Sequence, residues 1–197
     1  MKLQDLHICY EAGPTGFTLA RHLIGLGVHC SLYSPSKTER KPNEAIKTDK
    51  CDAKKLSKMF KNGDLVEVRI PPALDEAVRD VYRARTDAMD DLSRAKKRLL
   101  SFLTRNGFNY VGKSNWTPAH MRYLRELKMP SDPHKVVLEE YIQAIDYAQD
   151  RLNRIKNKLL LLLEEWEWKP VVKAVMACKG FQEVAAMTLV SFHLLLI

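Results

Sequence analysis

Three carboxylates, Glu11, Asp49 and Asp52, have the types and spacing to hold a divalent cation. Asp49 and Asp52 stand three apart in "KTDKCDAKKLSKMF", the most basic stretch of the chain. With Thr48 as a helix cap and Gly63 as the stop, periodicity puts Asp49, Asp52, Leu56 and Met59 on one stripe and Lys50, Lys54, Lys58 and Lys61 on the opposite one. Acids that continue an apolar stripe toward a core need a partner that offsets their burial. Carboxylates at this spacing reach one cation cluster, and Glu11, from a strand end, completes most of an oxygen-only Mg²⁺ site. The competing explanation needs no metal, because acids in a first helical turn are favoured by the helix dipole.

The elements that would position these acids are legible nearby. "LHICYE" alternates Leu6, Ile8 and Tyr10 against His7, Cys9 and Glu11, a strand pattern with Glu11 at its C-terminal end. "AGPTG" turns the chain. Thr15 then caps a helix carrying Leu19, Leu23 and Ile24 on one side, Gly27 ends it, and "VHCSLYS" is the next strand. This is a βαβ unit with parallel strands, whose ligand chemistry is expected at their C-terminal ends.

"CYEAGPTGF", followed after one helix and one strand by "KTDKCDAKKL", resembles the DEDD transposases of insertion sequences that are guided by a bridge RNA. The resemblance continues through "LRELKM", "EEY", "EWEWKPVV" and "CKGFQEVAAMTLV". It implies a fold of class α/β plus α: an incomplete RNase H-like (RuvC-like) domain, a long antiparallel helical hairpin or coiled coil, and the start of a helical C-terminal transposase domain. It implies that Glu11, Asp49 and Asp52 are catalytic and hold Mg²⁺, that DNA is the substrate and a guide RNA a partner. The family's first aspartate precedes the strand of Glu11, and Asp5 cannot replace it, being six residues from Glu11 on the same strand, roughly 20 Å away. The family's serine nucleophile belongs to a C-terminal domain beyond Ile197, and Ser191 lies in an apolar tail outside the family pattern. The expectation is a fragment of a transposase, inactive alone.

The remaining sequence divides into a helical part, 73–168, after a catalytic part, 1–72, and before a third part, 169–197. In the helical part Val78, Leu92 and Leu99 share one heptad position, interrupted by Arg85, and Val81, Ala88, Ala95 and Phe102 the other. A second helix opens at Asp132-Pro133 and carries Leu138, Ile145, Leu152, Leu159 and Trp166 with Tyr141, Ala148, Ile155 and Leu162. These stripes suit an intramolecular hairpin or a homo-oligomer, and the resemblance implies assembly. Between the helices, Thr117-Pro118 opens a short helix whose Arg122, Arg125 and Lys128, beside Trp116 and Tyr123, suit nucleic-acid contacts or a solvated face over a small aromatic core. The third part is helix, turn at Gly180, helix.

Net charge +8 favours an anionic partner, and Lys50, Lys54, Lys58 and Lys61 are the matching candidates on the first basic helix. Cys9, Cys30, Cys51 and Cys178 form no C-x-x-C pair, which argues against a zinc knuckle or a disulfide scaffold and fits a reducing, cytoplasmic setting. The apolar tail "VAAMTLVSFHLLLI" is too short to span a bilayer, so no membrane is expected. "EAGPTG" lacks the glycine spacing of a phosphate loop, and the nearby acids would repel a phosphate. Two classes remain: a metal-dependent DNA transposase, and a non-catalytic helical module for nucleic-acid binding or assembly.

Overall fold

The computed structural model describes residues 2–13, 16–34 and 49–193; the expected caps Thr15 and Thr48 lie outside them, as do the side chains of Asp49 and Lys50. Two compact units result, residues 1–73 with 191–197, and residues 74–190. Residues 169–190 fall in the second unit.

The first unit contains β1 (His7–Glu11), α1 (Thr18–Gly25), β2 (His29–Tyr33), α2 (Asp49–Asn62) and β3 (Glu67–Val68). β1 and β2 are parallel, in register from His7 opposite His29 to Glu11 opposite Tyr33, as the crossover through α1 requires. β3 adds antiparallel to β2. The alternation of Val66, Val68 and Ile70 with Glu67 and Arg69, stopped by Pro71-Pro72, was the signal for this short strand. Ala20, Cys30 and Leu32 form the core, flanked by Tyr10, Phe17, Leu23, Val68 and Ile70. Leu19 and Ile24 do not share that face; they are 47% and 48% exposed. The helix begins at Thr18 and turns Ala20 and Leu23 inward. Phe17 supplies no side-chain cap. The Tyr10 hydroxyl substitutes, accepting the Ala20 N–H at 3.1 Å and donating to the Gly16 carbonyl at 3.4 Å. Gly63, at φ 75°, ends α2, with the Asp64 N–H donating to the Met59 carbonyl.

The second unit is built on α3 (Ala73–Arg105) and α5 (Asp132–Glu165), with α4 (Pro118–Glu126), α6 (Lys169–Met176) and most of α7 (Glu183–His193). Contacts along the long helices run in opposite directions. Trp166 and Trp168 donate their indole N–H groups to buried Asp75 at 2.7 and 3.3 Å, Arg151 pairs with Asp91, and Tyr141 packs on Phe102. This is an antiparallel hairpin. Leu92, Ala95, Leu99, Phe102, Leu138, Ile142 and Ile145 are buried together with Leu124 of α4, and Leu159 and Trp166 are buried further along. The interrupting Arg85 lies over the Tyr82 ring. No described helix is long and apolar enough to cross a membrane.

Between the long helices, the Thr117 hydroxyl caps α4 by accepting the His120 N–H at 3.2 Å. His120 is fully buried among Tyr110, Trp116 and Tyr123. Its Nδ1 accepts the Trp116 N–H at 3.0 Å, and Trp116 has a left-handed backbone, φ 67°. Burial lowers the His120 pKa below its ordinary 6.5, so folding selects the neutral ring. The unfolded chain takes up the proton first as pH falls, and stability is lost below about pH 6.5, at up to about 1.4 kcal/mol per pH unit. Urea unfolding between pH 7.5 and 5.5 should show this slope, and His120→Gln should flatten it relative to the parent.

Candidate metal centre and nucleic-acid interface

Glu11 ends β1 as an exposed carboxylate, opposite Tyr33 in the register. The Tyr33 ring meets Phe60 of α2 with centroids 5.9 Å apart, so α2 is held against the strand ends that carry Glu11. Along α2, Lys55, Leu56, Met59 and Phe60 are half-buried, whereas Cys51, Asp52, Ala53 and Lys54 are exposed. The predicted stripe is therefore inward at Leu56 and Met59 but not at Asp52. Asp52 has the right angular position, yet sits about 12 Å of axial rise before Phe60, in a turn that no described residue covers. Burial gives Asp52 no need of a counter-ion, so the sequence argument from buried charge does not apply to it.

Among the described residues no three His, Cys, Asp or Glu side chains gather as a metal site. The Asp49 carboxyl lies outside that set. The donor chemistry does fit a hard cation, since Glu11, Asp49 and Asp52 supply only carboxylate oxygens. Burial pushes the Cys9 pKa up, helped by Cys30, and burial followed by the Glu67 charge pushes up that of Cys30, which keeps both protonated.

The basic candidates divide by unit. Lys54, Lys58 and Lys61 are exposed on α2, on whose backbone Lys50 also lies. Arg122 and Lys128 are exposed at α4 and border a groove of about 380 Å³ beside Tyr123 and Leu127. Arg125 is committed in part to α5, its guanidinium 3.2 and 3.5 Å from the Asp146 oxygens. Sequence reasoning missed Lys96 and Lys97 of α3, although no acid occurs between Leu92 and Arg125. It also missed Asp75, because an acid in a first helical turn is ordinary and its partners lie 91 and 93 residues away.

Residues 19–107 match the family of IS110-type DEDD transposases, described as Transposase. The putative transposase y4qE of Sinorhizobium fredii is 32% identical over 187 residues, 95% of this chain and 45% of its own length. The transposase for insertion sequence element IS1533 of Leptospira borgpetersenii is 31% identical over 191 residues, 96% of this chain and 55% of its own. The chain belongs to the DEDD transposase family. It spans about half the length of these curated relatives. The span matched to the DEDD transposases takes in Asp49, Asp52 and α3, while Glu11 and α4 fall outside it. No solved structure matches at a significant level.

Proposed function

We propose that this chain is the metal-binding and helical part of an insertion-sequence DNA transposase, with an RNase H-like first unit. The observation that carries the reading is the packing of α2 against the strand end bearing Glu11, which brings the helix of Asp49 and Asp52 to the same sheet. In this reading Glu11, Asp49 and Asp52 are catalytic and hold Mg²⁺, which when bound activates the attacking oxygen and stabilises the leaving one in phosphodiester cleavage. Glu11 presents its carboxylate from a paired strand, so its position is set by the ladder to β2. Asp49 and Asp52, one turn apart, offer oxygens from one helix. Lys50, Lys54, Lys58 and Lys61, with Arg122, Arg125 and Lys128, hold the nucleic-acid backbone by releasing condensed counterions. A guide RNA and a second copy of the chain, engaged through the helical unit, are the partners this reading supplies.

The second reading, a non-catalytic helical module, is favoured by the hairpin alone, whose heptad leucines pack within one chain. Purified protein with Mg²⁺, guide RNA and supercoiled plasmid separates the two. The expected outcome for a polypeptide of these 197 residues alone is salt-sensitive binding without nicking. Nicking that vanishes in Asp49→Ala contradicts the expected inactivity and supports the site. Absence of salt-sensitive binding removes the nucleic-acid role and leaves the assembly module.

A further inference from the structure

We propose that the acid-free stretch from Leu92 to Arg125 binds single-stranded DNA, with one unstacked base seated in the groove beside Trp116. The inference rests on the nucleic-acid reading above and adds a surface and a strand state to it. From Leu92 to Arg125 the chain has eight Lys or Arg residues and no Asp or Glu. Arg94 is paired with Asp91 at 2.6 Å and Arg125 with Asp146. Lys97, Arg98, Arg105, Lys113 and Arg122 are exposed and Lys96 is half-buried, on α3, α4 and the loop that one apolar core joins.

A groove of about 400 Å³ opens among these cations, walled by Met89, Leu100, Leu152 and Trp116 and edged by Lys96 and Lys97. Met89 is 42% exposed there. An apolar wall edged by two lysines fits a group that is apolar on its faces and anionic along its tether, which describes an unstacked nucleobase on its phosphates. The Lys96 ammonium already stands 5.3 Å from the Trp116 ring centroid, so a cation and an aromatic surface meet where base and phosphate would. A duplex keeps its bases stacked inside and could use only the cations. Apart from Lys96 and Lys97, Ser93 is the only polar residue in the lining, too few groups to read a ribose 2′-hydroxyl, whereas a thymine methyl adds apolar contact. The assignment is therefore to DNA.

The test uses the full chain and fluorescence anisotropy with a labelled oligo(dT) strand, an abasic strand of equal length, an oligo(dT)–oligo(dA) duplex and oligo(rU), across a salt series. The oligo(dT) strand should bind tightest and the abasic strand roughly tenfold or more weaker. Lys96→Ala and Lys97→Ala should each flatten the slope of log affinity against log salt by roughly 0.7. If no strand or duplex binds, both the nucleic-acid reading and this inference fall. If oligo(dT) binds but the abasic strand or the duplex binds equally well, or both lysine variants keep the parent slope, the groove inference alone is overturned. Tighter binding of oligo(rU) overturns the assignment to DNA.

Discussion

Leu99→Ala should destabilise the helical unit by about 2 to 5 kcal/mol, the range for deleting a fully packed leucine and leaving its cavity. Leu99 is fully buried, in the cluster that joins α3 and α5 through Phe102, Leu138, Ile142 and Ile145 and also takes in Leu124 of α4. Three elements therefore border the vacated volume, and none can collapse into it without moving the other two. Leu152 occupies an equivalent heptad position on α5, but it is half-buried and walls an open groove. Leu152→Ala should cost clearly less, because solvent and neighbouring side chains can take up the space. Urea unfolding followed by the helical circular-dichroism signal measures both, since the two longest helices lie in this unit. Equal losses in the two variants would show that the core does not follow the burial of the hairpin.

The hairpin was legible because its pattern repeats. Each heptad position is sampled several times along α3 and α5, so one exception, Arg85, does not shift the register, and Asp132-Pro133 and Gly107 mark clear ends. Short elements gave less. α1 has eight residues, too few for its period to show that Ala20 and Leu23 face inward while Leu19 and Ile24 face outward. β3 has only two paired residues, although the alternation that marks it runs from Val66 to Ile70. The left-handed Trp116 is not a sequence feature at all, since it depends on the buried imidazole of His120 accepting its N–H.

The candidate site is a proposal from residue chemistry, and its geometry was legible only in part. Residue type and spacing pointed to Glu11, Asp49 and Asp52, and the helix carrying the two aspartates does pack on the strand end of Glu11. Periodicity gives an angle around a helix and says nothing about where along its axis the neighbouring layer begins. Leu56 and Asp52 share an angle, yet only Leu56 is covered. Arg125 shows the same limit for charge, because its engagement by Asp146 depends on how α4 docks on α5.

The central claim is that Glu11, Asp49 and Asp52 act on one divalent cation, and the most direct measurement is Mn²⁺ binding, with Mn²⁺ standing in for Mg²⁺ as a paramagnetic oxygen-seeking ion. Titration of the full chain, followed by the electron-paramagnetic-resonance signal of free Mn²⁺, would be compared with Glu11→Gln, Asp49→Asn and Asp52→Asn. Each substitution keeps the size of the side chain and removes its charge, so a shared site loses affinity whichever acid is changed. The exposed positions of Glu11 and Asp52 make a folding defect an unsuitable explanation for such a loss. The account predicts saturable binding by the parent that is weakened or abolished in all three variants. Parent-like Mn²⁺ binding in all three, or no saturable binding by the parent, would contradict it.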